Sequence, residues 1–434
     1  LVPFFSNKNL PLDVIEALAW GSNLEWGFEK HPPLSAFFTE VFYKIFGNQD
    51  WAYYLLSQLF VTISFYVVWS FSNEFFKDRI YSLISVLLLE SIYFYNFTSP
   101  EFNVNICQLP FWALSIHFCW LSLKNDKTLN WILFGFFAAL GVLSKYLFIY
   151  LLFGQMLYII FFFNKKNLIN LKFLIPVFVF VLLLFPHFLW LVDNDYKTIM
   201  YGIKRSSLEN SEVINHLIFP VIFLIKQVGI LLPLFLLSRL MISKFKIKIN
   251  LKDKKLLYLL SVAIIPIFLV FLTSFLAGAK IRTMWMTPFY LFLGVLIVYI
   301  FQKKIKTNNL KNFYLVFLSM FILSPILYTY VSLSNDSKRT DYPGSEISYL
   351  VQNKWNKNFS NEIGIIVGDE WLGGNLSYHL KSRPKWYNSI DNKINKIDKS
   401  VGVIYLGNPK ILKEICPGVF GTLKPVGVCM IGKK

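Results

Sequence analysis

Apolar residues in this chain come in long unbroken runs, not in the spaced stripes of a soluble helix. The runs fall at about 51–73, 80–97, 106–123, 131–143, 147–163, 173–192, 215–242, 257–277, 285–302 and 313–333. A helix that crosses a bilayer needs about 20 apolar residues, so the pattern predicts an α-helical polytopic membrane protein. The stretch from Trp131 to Phe163 is too long for one crossing. Ser144-Lys145-Tyr146 interrupts it, which predicts two short helices joined by a tight turn. The opening Leu1-Val-Pro-Phe-Phe reads as the end of a further membrane helix.

Two polar segments flank these runs. Residues 6–50 form a loop with two predicted amphipathic helices lying at the membrane interface. One covers 12–22, with Leu12, Ile15 and Ala19 on one face, and the other covers 33–46 after Pro32-Pro33. The tail, 334–434, alternates helical patterns (345–355, 371–381) with the apolar runs 362–368 and 401–407. Those runs read as buried parallel strands of a small α/β domain. The expected organisation is a membrane domain over 1–333 and an α/β domain over 334–434.

Composition agrees. Of 434 residues, 55% are hydrophobic, 18% aromatic and only 16% charged, with a mean hydropathy of +0.51. Soluble domains carry about 25% charge. The net charge of +18 would suggest nucleic acid in a soluble protein. Here the basic residues sit between apolar runs, where they face membrane lipid, so no nucleic-acid partner is expected.

Their distribution sets an orientation. One set of loops holds Lys77, Arg79, Lys124, Lys127, Lys165, Lys166, Lys172, Lys244, Lys246, Lys248, Lys252, Lys254, Lys255, Lys303, Lys304, Lys306 and Lys311. The opposite short loops hold only Lys145, Lys197, Lys204, Arg205, Lys280 and Arg282. The richer set marks the cytoplasmic face. Residues 6–50 and the tail then lie outside.

Chemistry-bearing residues gather on the outer side. The first loop carries Asp13 and Glu16, three apart on one helix face, then Glu29-Lys30-His31 before Pro32-Pro33. Glu101, Asn103 and Asn105 lie between two apolar runs, Lys145-Tyr146 at the break, His187 after Pro186, and Lys280 and Arg282 before Trp285. Cations converging on one face suit a phosphate in a site of low dielectric. Carboxylates beside them suit a general base or a divalent cation. The tail sequence Gly368-Asp369-Glu370-Trp371 follows a predicted strand and reads as a structural loop. Cys416 and Cys429 would face an oxidising compartment, where they can form a disulfide.

At these residues the sequence resembles polyprenyl-phosphate-sugar-dependent glycosyltransferases of the protein-mannosyltransferase-like, GT-C class (glycosyltransferase family 39). Within it the chain looks closest to bacterial lipid A and lipopolysaccharide sugar transferases, including aminoarabinose transferases. The resemblance rests on Pro11-Leu-Asp-Val-Ile-Glu-Ala-Leu-Ala-Trp-Gly21 followed by Gly27-Phe-Glu-Lys-His-Pro-Pro-Leu34. Leu143-Ser-Lys-Tyr146, Arg282-Thr-Met-Trp-Met-Thr-Pro288 and Tyr342-Pro-Gly344 support it.

The resemblance implies transfer of one sugar from undecaprenyl phosphate to a lipid A, lipopolysaccharide or other envelope acceptor. The reaction would invert the anomeric carbon at the periplasmic face of a bacterial inner membrane. Asp13 is implied as base or acceptor-orienting group, with Glu16 and Glu101 as further catalytic acids. Lys30, Lys145, Tyr146, Lys280 and Arg282 are expected at the donor phosphate. Asn103 and Asn105 are expected at sugar or acceptor. Glu29, His31 and His187 are candidate ligands for a divalent metal (Zn, Mg or Mn). A transporter or flippase of lipid-linked sugars would instead place charges mid-membrane, where Glu90 and His117 are the main exceptions. A non-catalytic envelope scaffold would leave the acid-and-base cluster of the first loop without a role.

Overall fold

The computed structural model describes residues 1–162, 171–208, 212–243, 250–306, 310–334, 337–388, 400–423 and 425–434. Lys165, Lys166, Lys244, Lys246 and Lys248, counted above in setting the orientation, lie outside the described residues. The helices of the amino-terminal three quarters are α1 (Val2–Ser6), α2 (Leu12–Gly21), α3 (Leu34–Phe46), α4 (Asp50–Ser72) and α5 (Arg79–Leu87). Next come α6 (Val104–Asn125), α7 (Thr128–Ser144), α8 (Ile149–Phe162), α9 (Leu174–Asp193), α10 (Lys197–Arg205) and α11 (Asn215–Met241). The set ends with α12 (Lys254–Ala263), α13 (Ile265–Ala277), α14 (Leu293–Phe301) and α15 (Leu310–Ser334).

Six helical stretches among the described residues are long and apolar enough to span a bilayer: α4, α6, α9, α11, the α12–α13 pair and α15. A seventh candidate is the stretch Thr283–Tyr290 with Leu293–Lys304, bent by 47°. The chain is a multi-pass membrane protein. The α12–α13 pair is interrupted at Ile264, two residues before Pro266, which has no backbone donor to give. The break at Lys145 is as expected: α7 stops at Ser144, and Lys145 is extended (φ −165°, ψ 135°) before the chain turns into α8.

Two expectations fail. The run 80–97 is not a span: α5 and a short 3-10 turn end at Ser91. Asn96 and Ser99-Pro100 favour turns there, and the Tyr95 hydroxyl ties the segment to the Thr287 carbonyl. The first-loop helices also do not both lie free at the interface. Val14 to Gly21 of α2 are buried, because the tail packs on the face that would otherwise meet water.

That tail contains α16 (Gly344–Asn358), β1 (Ile363–Val367), α17 (Glu370–His379), β2 (Lys385–Tyr387), β3 (Gly402–Gly407), α18 (Pro409–Ile415), β4 (Val419–Leu423) and β5 (Val426–Ile431). The sheet runs β2-β1-β3-β5-β4. The two strands read from sequence, β1 and β3, pair in parallel, whereas β5 runs antiparallel to β3 and β4. Trp355, Ile366 and Ile404 centre its core. Cys416 and Cys429 form a disulfide, pinning α18 to β5.

The seam between tail and first loop is tight. A Cβ on Gly374 of α17 would lie 3.0 Å from the Ile15 carbonyl oxygen and 3.1 Å from Ala19 Cβ of α2. Beside this contact Arg383 bridges to Glu40 at 2.7 Å, donates to the Leu18 carbonyl at 2.6 Å and stacks 4.2 Å from the Tyr43 ring centroid.

Candidate functional site

A cavity of about 840 Å³ opens where α2, the 30–32 segment, the Lys145 turn, α10 and the start of α17 converge. Its size suits a small ligand headgroup, since ligand sites generally run about 300–1,000 Å³. Asp13, in the first turn of α2, faces it together with Glu16, one turn further on. Lys30, His31, Asn105, Lys145, Tyr146 and Arg205 complete most of the polar lining.

Lys145 is only 6% exposed and donates to Asn105 Oδ1 at 2.6 Å. Its ammonium lies 5.2 Å from the Trp285 ring centroid. Burial pulls its pKa down to about 7, against the attraction of Asp13. Burial pushes Asp13 the other way, raising its carboxyl pKa, while Lys145 and Lys30 oppose the rise. The cavity therefore holds an acid shifted up and a cation shifted down from their ordinary values, both by burial.

Lys30 behaves differently. It bridges Glu16 at 2.9 Å and also contacts Glu370, the first residue of α17. Burial disfavours its charge, but those two carboxylates outweigh burial and raise its pKa. Glu370 accepts from Trp20 Nε1 at 3.0 Å with its other oxygen. Glu101 sits behind Asp13, hydrogen-bonded to its backbone, and burial beside Asp13 raises its pKa to about 8.

Several expected site residues fall elsewhere. Lys280 is exposed outside the cavity, with its ammonium 5.8 Å from the Phe219 ring. Arg282 also lies outside the lining, because the segment after it turns Met284 and Trp285 inward instead. Asn103 caps α6, its Oδ1 accepting from the amides of Asn105 and Ile106 at 2.9 and 3.2 Å. That bond satisfies helix-end donors and leaves its acceptor occupied.

The proposed metal set is not assembled. Glu29 is exposed and accepts from Asn388 at 3.2 Å. His187 spends both ring nitrogens: Nδ1 on the Trp26 carbonyl at 2.6 Å, Nε2 on the Tyr146 hydroxyl at 2.7 Å. A carbonyl only accepts, so Nδ1 carries the proton and Tyr146 donates to Nε2. The loop can reach His187 because Gly27 lies against Trp190; a Cβ there would be 2.2 Å from the indole. His31 alone faces the cavity. Among the described residues no three His, Cys, Asp or Glu side chains are grouped to hold a metal ion, so these residues do not fit one.

Sequence reading missed the tail's share of the wall. Arg339, Asp369, Glu370 and Trp371 all line the cavity. The 368–371 segment is thus more than a structural loop. Its position after a strand, with Asp369 capping α17 through the amides of Trp371 and Leu372, was the available signal.

Residues 30–190 match the family model described as dolichyl-phosphate-mannose-protein mannosyltransferase. No curated protein matches the sequence. The fold is similar to the crystal structure of ArnT from Cupriavidus metallidurans in the apo state, with a TM-score of 0.65 at 12% identity. That match covers 99% of this chain and 95% of the other. Against the same protein bound to undecaprenyl phosphate the TM-score is 0.63, again at 12% identity, over 99% and 96% of the two chains. The family match thus covers part of the chain, and the fold shared with ArnT extends over nearly all of it.

Proposed function

We propose that the protein transfers a single sugar from a polyprenyl-phosphate donor to a lipid A or lipopolysaccharide-type envelope acceptor. The observation that carries this reading is the joining of Asp13, Lys145, Lys30 and Arg205 in one cavity where first loop, membrane helices and tail meet. The similar structure that binds undecaprenyl phosphate supports the donor class, and the acceptor class rests on the resemblance of the first-loop motif.

In this reading Lys145 and Arg205 hold the donor phosphate, joined by Lys30 when it exchanges a carboxylate for the phosphate. The acceptor oxygen attacks the anomeric carbon from the side opposite the phosphate. The bond between that carbon and the phosphate oxygen breaks, and polyprenyl phosphate leaves with the electron pair, its new charge met by the same cations. A hydroxyl acceptor gives its proton to Asp13, whose raised pKa makes it a stronger base than an ordinary carboxylate. A phosphate acceptor arrives deprotonated and leaves Asp13 to orient it. The configuration inverts. Tyr146, fixed by His187, and Asn105, fixed to Lys145, position the donor end of the cavity.

The membrane is the bacterial inner membrane, with cavity and tail facing the periplasm. The excess of basic residues on the opposite loops supports this orientation. So does the Cys416–Cys429 disulfide on the cavity's side. Residues 1–333 supply the membrane part, and 334–434 supply a domain that closes the site.

The test is transfer by purified protein from radiolabelled undecaprenyl-phosphate sugar to a lipid A extract. Asp13→Asn should abolish transfer while the protein elutes and melts as wild type. Movement of the labelled lipid across vesicles without covalent transfer would replace the enzyme with a flippase.

A further inference from the structure

Most polar groups lining the cavity are already spent on one another. Glu16 and Glu370 hold Lys30, Asn105 holds Lys145, and Tyr146 is bonded to His187. With the phosphate assigned to the cations and the acceptor proton to Asp13, the transferred sugar must be recognised by what is left.

Three residues of suitable chemistry are among those that keep unused capacity. His31 is packed edge-on between Trp20 and Tyr201, at centroid distances of 6.0 and 6.3 Å, and neither ring nitrogen hydrogen-bonds a described residue. Asp369 uses Oδ1 to cap α17 and keeps Oδ2 free. Trp371 presents its indole to the same space, steadied by Tyr342 at 5.5 Å. A broad aromatic face, a carboxylate oxygen and an imidazole suit a hydroxyl-bearing ring, which offers apolar C–H faces and donor-acceptor hydroxyls at its edge.

We infer that His31, Asp369 and Trp371 form the subsite that reads the sugar of the donor, so that the tail contributes specificity as well as closure. This rests on the donor reading above. The ligand class is a neutral, hydroxyl-bearing sugar held on phosphate. Burial, with Lys145, Lys30 and Arg205 adding to it, lowers the His31 pKa to about 3. The imidazole therefore stays neutral, with one N–H and one lone pair, matching a hydroxyl that both gives and accepts. Sites that hydrogen-bond a substrate hydroxyl reject analogues lacking it, because their own polar groups would be left unpaired.

The test compares binding of bare undecaprenyl phosphate with undecaprenyl phosphate carrying glucose, galactose, mannose or arabinose, using the full chain in lipid nanodiscs. At least one glycosylated lipid should bind more tightly than the bare lipid. Trp371→Ala and His31→Ala should each remove roughly tenfold of that advantage and leave affinity for the bare lipid unchanged. His31→Gln, which keeps a neutral donor and acceptor, should retain part of it. Lys145→Ala should weaken all the lipids alike. The subsite is overturned if no sugar adds affinity in the wild type, or if the advantage survives both alanine variants. Failure of the wild type to bind bare undecaprenyl phosphate would strike the donor reading itself, and the subsite with it.

Discussion

Lys145 Nζ lies 2.6 Å from Asn105 Oδ1, and no carboxylate comes within 4 Å of it among the described residues. The cation is oriented by a neutral amide. Its ammonium is therefore not held in a salt bridge before a ligand arrives, unlike that of Lys30.

Removing that ammonium should be costly for the donor. Charge-assisted hydrogen bonds are worth about 1.5–3 kcal/mol, so Lys145→Ala should raise the donor Michaelis constant roughly 10- to 100-fold. The acceptor constant should stay near wild type. Steady-state kinetics with each substrate varied in turn decide the matter, and an unchanged donor constant removes Lys145 from phosphate binding.

The pH dependence follows from opposite shifts on two groups. Lys145 is lowered to about 7, so its charge in the empty cavity is lost as pH rises through neutrality. Asp13 is raised, so its carboxylate forms only as pH climbs above the ordinary carboxylate range. For a hydroxyl acceptor, kcat/KM for the donor should be bell-shaped, falling above about pH 7. Bound phosphate favours the ammonium, so the alkaline limb of kcat should move to higher pH. Coincident alkaline limbs in the two profiles would contradict this.

Glu370 competes with the donor for Lys30. Glu370→Gln leaves Lys30 with Glu16 alone, and the donor Michaelis constant should fall about threefold. Melting should show a loss of about 1 kcal/mol, because this partly exposed pair joins tail to first loop. A higher Michaelis constant would place Glu370 among the groups that bind donor.

At the seam, Arg383→Ala leaves the Glu40 carboxylate buried without its bridge and strips two further hydrogen bonds. The expected loss is about 3 kcal/mol, read by thermal unfolding in detergent. Arg383→Lys should recover little of it, since an ammonium cannot reproduce the planar fork over Tyr43. A melting point equal to wild type would mean that the seam holds without this residue.

Membrane helices were legible because the bilayer demands length and apolarity, and nothing else in a chain looks like Asp50–Ser72 or Leu310–Ser334. Asp13, Lys30 and Lys145 stood out for a related reason: a charge beside apolar sequence is expensive unless it has work. Lys280 carried the same signal and lies outside the cavity, because sequence does not reveal which way a loop residue points. Residues 369–371 were misjudged from the opposite side. They are polar residues in a polar tail, and only the docking of α17 on α2 turns them toward the cavity. Strand β2 was missed because it has only three residues, and β4 and β5 because each is interrupted by a glycine (Gly421, Gly427) and lacks a clear alternation.

The near backbone-to-backbone approach at Gly374 bears on how such proteins could be recombined. Exchanging the tail alone for one from a similar enzyme would present the wrong surface to Ile15 and Ala19. A workable chimera would have to carry residues 9–23 along with it, as one inseparable cassette.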